Sequence, residues 1–231
     1  MRLPGLSIFF PYLNDAAAMD GLLRAARAAA LEAAESFEIL VIDDGSRLDE
    51  AQALDRMAAS CPEVRVIHHD RNRGYGAAIR RGIAESRMGW VFYTDGDGQY
   101  DPGDIRLLWR SWQAAPDADM FNGYKLKRHD PWPRVWLGEI YRRLARGLFA
   151  LPIRDVDCDF RLMRGEFVRS LPLRCSGGGV GLELVRCAQA RGARFIEAAI
   201  PHHPRRSGRS EFFTLRRVAQ LAREMLSGVA R

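Results

Sequence analysis

Glu38-Ile39-Leu40-Val41-Ile42-Asp43-Asp44-Gly45-Ser46 sets the reading of the fold: a run of apolar β-formers breaks into acidic and glycine residues, the chemistry of a strand entering a loop. The arrangement recurs on either side of it. Leu6-Ser7-Ile8-Phe9-Phe10 is a short apolar run stopped by Pro11, and residues 16–34 are alanine-rich, the composition of highest helix propensity. A helix is expected over 48–60, a strand over Val64-Arg65-Val66-Ile67-His68, a helix over 75–86 and a strand over Trp90-Val91-Phe92-Tyr93-Thr94. Four β-then-α units in about 110 residues predict an α/β fold: a mainly parallel sheet with helices on both faces. Such sheets bind ligands beyond the carboxyl ends of their strands. Three segments fall there and are expected to share one rim: Asp43-Asp44-Gly45-Ser46, Asn72-Arg73-Gly74-Tyr75-Gly76 and Asp95-Gly96-Asp97-Gly98-Gln99.

The second half is less regular. Residues 135–150 read as a helix with Leu137, Ile140, Tyr141, Leu144 and Leu148 at helical spacing and Arg142, Arg143 and Arg146 opposite. Asp155-Val156-Asp157-Cys158-Asp159-Phe160 alternates strictly, which in an extended chain puts three carboxylates on one face. A glycine-rich loop, Gly177-Gly178-Gly179-Val180-Gly181, leads to a helix at 182–190, then a strand at 195–200, a basic loop and an amphipathic helix at 212–229. With no internal repeat or convincing linker, one domain is the simpler reading of 231 residues.

Hydrophobic residues at 47% and charged residues at 28% exclude wholesale disorder. A mean hydropathy of -0.24 and the lack of a long apolar stretch give no evident transmembrane segment. The N-terminus does not read as a secretory signal. Cys61, Cys158, Cys175 and Cys187 are scattered, which favours a reduced, cytoplasmic protein over a disulfide scaffold or zinc site. The net charge of +6 is carried almost wholly by arginine, Lys125 and Lys127 being the sole lysines, and favours anionic partners. The arginines are dispersed and not interleaved with aromatics, so nucleic acid is not expected as a partner.

Asp95 and Asp97, separated by one glycine after an apolar strand, are the sharpest chemical feature. If extended they lie roughly 6–7 Å apart, and their repulsion at an effective dielectric near 20 is roughly 2.5 kcal/mol. A divalent cation turns that cost into attraction. Oxygen ligands of this kind suit Mg²⁺ or Mn²⁺, which bind through one or two carboxylates plus substrate phosphates, and Gln99 adds a neutral oxygen. A solvated turn is the alternative. An EF-hand is excluded by Tyr100 and Arg106 at its sixth and twelfth positions. Gly74 and Gly76 resemble a dinucleotide fingerprint only superficially, since Ile79 replaces the third glycine; they admit a ligand at a helix N-terminus or make a turn. Asp43 and Asp44 either cap the next helix or accept hydrogen bonds from ribose or base. Arg205, Arg206 and Arg209 form a donor cluster suited to phosphate, or a solvated basic loop. His68-His69 and His202-His203 lack metal-ligand spacing and read as structural.

Taken in order, these segments resemble the family 2 glycosyltransferases, in the branch that includes dolichol-phosphate mannose synthases. The matching pieces run from Leu6-Ser7-Ile8-Phe9-Phe10-Pro11-Tyr12-Leu13-Asn14-Asp15 through Val41-Ile42-Asp43-Asp44-Gly45-Ser46, Asn72-Arg73-Gly74-Tyr75-Gly76-Ala77-Ala78 and Thr94-Asp95-Gly96-Asp97-Gly98-Gln99-Tyr100. They continue with Asp155-Val156-Asp157-Cys158-Asp159-Phe160-Arg161-Leu162 and end at Arg205-Arg206-Ser207-Gly208-Arg209-Ser210, nearly the whole chain.

The resemblance implies a GT-A fold in one domain, with a nucleotide-sugar-binding half at 1–122 and an acceptor-binding half at 123–231. It implies sugar transfer with inversion from a UDP- or GDP-linked donor, assisted by Mg²⁺ or Mn²⁺. Pro11, Asn14, Asp15, Asp43, Asp44 and Gly74 would line the nucleotide site. Asp95, Asp97 and Gln99 would hold the metal on the donor diphosphate, and Arg205 would pair with the phosphates. Asp157 or Asp155 would be the base for a hydroxyl acceptor, while Lys125, Arg134 and Ser210 would bind the acceptor. A lipid-phosphate acceptor needs no base; the amphipathic stretches at 137–148 and 215–229 either face the core or lie peripherally on the inner face of the membrane.

This chain departs from the family at Leu13, usually aromatic, Asp15, usually Glu, and Asp159, usually glycine. Lys125 replaces an arginine and Gly138 a serine of the lipid-phosphate branch. These two keep a hydroxyl acceptor in cell-envelope glycan synthesis open beside a polyprenyl phosphate, with a non-catalytic nucleotide-sugar-binding module as a third reading.

Overall fold

A computed structural model of the chain describes residues 1–125 and 150–203. The first four strands and three helices lie where the hydrophobic pattern puts them: β1 Leu6–Tyr12, α1 Ala16–Ala33, β2 Phe37–Asp43, α2 Leu48–Ala59, β3 Val64–His68, α3 Tyr75–Glu85 and β4 Trp90–Thr94. A 3₁₀ turn at Pro102–Asp104 leads into α4 (Ile105–Ala114) and β5 (Met120–Lys125). After the gap come β6 (Phe160–Arg164), the short α5 (Gly165–Arg169), α6 (Val180–Ala190) and β7 (Phe195–Ile200).

The strands form one mixed sheet in the order β3-β2-β1-β4-β6-β5-β7. β1 to β4 are mutually parallel where they pair, β6 runs antiparallel between β4 and β5, and β7 lies parallel to β5. β1 has β2 on one side and β4 on the other, so the connections leave it in opposite directions and open a crevice beyond the strand ends.

Period-2 alternation splits the core in two. Ile8 and Phe10 of β1, Ile39 and Val41 of β2 and Phe92 of β4 pack with Met19, Leu22, Leu23, Ala26 and Ala30 of α1 and with Leu108 and Trp112 of α4. Phe9, Leu40, Ile42, Val91 and Tyr93 point the other way, onto Ile79 and Ile83 of α3 and Val180 and Leu184 of α6. Phe9 and Tyr93 stack at 5.2 Å between centroids. A Cβ on Gly82 would stand 2.4 Å from the Phe9 ring, so this glycine lets α3 settle on the stack.

Three expectations are corrected. Pro11 does not end β1, which runs on to Tyr12. Asp44 N–H donates to Tyr12 O, so residue 12 faces β2 and Pro11 faces β4. Pairing with β4 has already stopped at Phe9↔Tyr93, so the missing N–H of Pro11 leaves no ladder bond unmade. Residues 155–159 are not extended: Val156 and Asp157 form a turn, and the strand begins only at Phe160. The glycine run at 177–181 already contains the start of a helix at Val180. The helices expected at 135–150 and 212–229 fall outside the described residues, Ala150 apart.

Candidate active site

The three rim segments do come together, through side chains at the strand ends. Asp43 closes β2 and His68 closes β3; Asp43 is buried and accepts from His68 Nδ1 at 2.7 Å and from Ser46 N–H at 3.0 Å. Asp44 accepts from His69 Nδ1, Arg73 N–H and Gly74 N–H, each at 2.8 Å. A carboxylate has roughly four lone-pair sites, so the protein takes most of this one. Burial would lower His68, but hydrogen bonds to Asp43 and Asp55 outweigh it and hold the imidazole above its ordinary value. The adjacent histidines are therefore structural, as their spacing suggested: they fix the acidic pair.

Asn14 sits at a positive φ of 53° that asparagine tolerates. Its N–H donates to Ser46 Oγ and its Oδ1 accepts from Arg47 N–H, each at 2.9 Å, joining the end of β1 to the loop after β2. Asp15 precedes α1 without capping it through its side chain. Gly74, at φ 98°, and Gly76 allow a close approach of the chain to itself. A Cβ on Gly74 would meet Ser176 O at 2.4 Å, and one on Gly76 would meet Cys175 O at 2.6 Å. Gly76 N–H donates to Ser176 O, so the first turn of α3 is spent on the loop before α6.

Asp95 and Asp97 follow β4, with Gly96 and Asp97 in a turn in place of the extended chain considered above. Gly96 packs against Pro11, where a Cβ would stand 2.9 Å from the carbonyl oxygen, and so the D-x-D loop lies over the crevice between β1 and β4. Asp97 Oδ1 accepts from Gln99 N–H at 3.0 Å. Tyr75 O–H donates to Asp95 Oδ1 at 2.6 Å. Tyr93 O–H donates to Asp159 Oδ1 at 3.1 Å. Burial, then Asp159, then Asp97 push the Asp95 carboxyl well above the usual carboxylate range, and burial raises Asp159 as well.

The site therefore concentrates three carboxyl groups that call for positive charge. Among the described residues no set of three or more His, Cys, Asp or Glu is arranged to hold a metal by protein ligands alone. This donor set fits a hard cation that completes its shell with substrate phosphates and water, as Mg²⁺ and Mn²⁺ do.

Asp155, 1% exposed, accepts from Lys125 N–H at 3.3 Å and lies 3.7 Å from Lys125 Nζ. Lys125 Nζ donates to Asp157 O at 2.6 Å. Asp155 and Lys125 are thus part of the scaffold of the turn, whereas the Asp157 side chain is partly exposed. Gln99 O accepts from His203 N–H at 2.8 Å, which ties the D-x-D loop to the segment after β7. Arg134, Arg205 and Ser210 lie outside the described residues.

The structure adds Tyr75, Tyr93, Asp159 and Arg161 to the surroundings of the acidic pair. An arginine inside the apolar run Phe160-Arg161-Leu162-Met163 was the available signal.

The chain is similar to known proteins in sequence and in fold. The family described as Glycosyl transferase family 2 matches residues 7–171. Undecaprenyl-phosphate 4-deoxy-4-formamido-L-arabinose transferase of Pseudomonas aeruginosa is 30% identical over 214 residues, 91% of this chain and 61% of that protein. The protein of the same name from Sodalis glossinidius is 27% identical over 220 residues, 94% of this chain and 66% of that one. The chain thus spans about three-fifths to two-thirds of the length of these relatives. Glucosyl-3-phosphoglycerate synthase from Mycobacterium tuberculosis, in complex with Mn²⁺, UDP and phosphoglyceric acid, superposes with a TM-score of 0.73 at 16% identity. That superposition covers 97% of this chain and 76% of that one. The fold is the GT-A arrangement expected above, and the chain belongs to glycosyl transferase family 2.

Proposed function

We propose that this chain transfers a sugar, with inversion, from a UDP- or GDP-linked donor to a polyprenyl phosphate. The observation that carries the reading is the D-x-D turn at the β1/β4 crevice, where the carboxyl groups of Asp95, Asp97 and Asp159 gather beside the nucleotide-side loops. The relatives named for undecaprenyl phosphate support the acceptor, and the complex of a GT-A neighbour with UDP and Mn²⁺ supports the donor. Asp95, Asp97 and Gln99 would hold Mg²⁺ or Mn²⁺. When bound, that ion offsets the charge developing on the departing diphosphate. Arg205 would share the task, and Asp43 with Asn14 and Asp15 would border the nucleoside.

A phosphate acceptor is already anionic and needs no base. With a hydroxyl acceptor, Asp157 is the group to take the proton, since Asp155 is committed to Lys125. Arg134 and Ser210 are assigned to the acceptor. Residues 1–122 then serve the donor and 123–231 the acceptor within one domain. Among the described residues no helix is long and apolar enough to cross a membrane. With a lipid acceptor the enzyme would work in peripheral contact with the inner face of the cytoplasmic membrane.

Calorimetry with UDP and GDP tests the core of the proposal: binding is expected only with Mn²⁺ or Mg²⁺ and is lost in Asp97→Ala. Equal affinity with and without metal refutes it. Turnover with undecaprenyl phosphate against simple glycosides decides the acceptor.

A further inference from the structure

Arg161 heads the fully buried side chains by size, at 0% exposure. Alternation along β6 turns it away from Phe160 and Leu162, onto the sheet face covered by α3 and α6, and register sets it beside Tyr93. A guanidinium in such a place is costly unless its partners repay the lost hydration.

Those partners lie on the 155–159 turn, at the start of α6 and on β4. Nη2 donates to Val156 O at 2.5 Å and Nη1 to Gly181 O at 3.3 Å, joining the 155–159 turn to the first turn of α6. The guanidinium carbon lies 5.9 Å from the centre of the Tyr93 ring, whose hydroxyl holds Asp159. Asp159 also interacts with the guanidinium electrostatically. The same turn holds Lys125 Nζ through the Asp157 carbonyl. One buried cation therefore joins the 155–159 turn, which anchors Lys125, to the start of α6 and to Tyr93 on β4, the strand that leads into Asp95. An apolar side chain would fill the volume without bonding either carbonyl.

We propose that Arg161 is a positioning residue for the transfer step, setting the acceptor-side turn against the donor-side carboxylates. The inference rests on reading Asp95 and Asp97 as the donor site. Its expected signature is a loss of alignment without a loss of donor binding, since misplacement by about 1 Å costs on the order of a hundredfold in rate.

The test compares Arg161→Lys and Arg161→Gln with the unchanged protein. It measures UDP and GDP binding with Mn²⁺ by calorimetry, and transfer to undecaprenyl phosphate against hydrolysis of the donor by water over a panel of UDP- and GDP-sugars. In Arg161→Gln, kcat for transfer is expected to fall about a hundredfold, with nucleotide affinity within about twofold and hydrolysis rising relative to transfer. Arg161→Lys, which keeps the charge but not the planar fork, is expected to recover part of the loss. Unchanged transfer, a parallel fall in nucleotide affinity, or failure of both variants to fold would overturn the proposal. Failure of the unchanged protein to bind either nucleotide with Mn²⁺ would instead sink the donor-site reading, and this inference with it.

Discussion

Replacing Asp44 by asparagine separates a structural carboxylate from a nucleoside ligand. The side chain is 6% exposed and accepts three hydrogen bonds at 2.8 Å, from His69 Nδ1, Arg73 N–H and Gly74 N–H. An amide offers one acceptor oxygen. If it keeps His69 and Arg73, the new NH₂ group confronts the Gly74 N–H, and a buried donor is left unpaired. Bonds to a charged acceptor contribute about 1.5–3 kcal/mol each, and an orphaned buried donor costs about 1–3 kcal/mol. The expected loss is therefore about 3 kcal/mol, or about 6–12 °C in Tm at roughly 2–4 °C per kcal/mol for a domain of this size.

Urea unfolding and thermal scans measure that loss. Asp43→Asn is the control: Asp43 accepts from two donors, one of them the His68 ring, whose side chain is 37% exposed, so its loss should be smaller. A cost below about 1 kcal/mol for Asp44→Asn would refute the reasoning, because it would mean the three bonds are replaceable by water or by rearrangement. Nucleotide affinity, measured well below the transition, is an independent readout. A folded Asp44→Asn protein that binds UDP or GDP normally would confine the residue to holding the 70–74 loop.

Gly76→Ala is expected to cost about 1–3 kcal/mol as an overpacked contact, because its Cβ would press on the Cys175 and Gly177 carbonyl oxygens at 2.6 and 2.7 Å; the urea midpoint reports it. His68→Gln tests the strand-end pair through pH. The folded imidazole titrates above the ordinary value of ~6.5, so its stabilisation is complete below that pH and fades as pH rises through the folded value. The Tm difference between the two proteins should accordingly shrink from acid to mildly alkaline pH, and a constant or growing gap would contradict the assignment. Asp157→Asn should leave transfer to undecaprenyl phosphate intact while abolishing any transfer to hydroxyl acceptors; undiminished turnover with both would remove Asp157 from the role of base.

The βα alternation through β4 was legible because its signals are local: apolar runs of strand length, alanine-rich or amphipathic helices, and acidic or glycine-bearing loops at each strand end. The rim segments were legible for the same reason, since parallel strands bring their carboxyl ends to one side whatever their order. The strict alternation at 155–160 misled. Period-2 patterning also occurs where Asp155 turns inward to meet Lys125 and Val156 is held by Arg161, and those partners lie far along the chain or across the sheet.

The sequence by itself determined that the chain is an α/β protein with an acidic pair poised beyond an apolar strand. Residue-by-residue hydrophobicity and turn chemistry suffice for that. Only tertiary contacts bring β6 antiparallel between β4 and β5, set Gly74 and Gly76 against the backbone before α6, and place Tyr75 on Asp95, Tyr93 on Asp159 and Arg161 on the Val156 carbonyl. Each of those outcomes depends on contacts between segments distant in sequence, and the burial of a charge becomes costly, and so informative, only once the groups around it are in place.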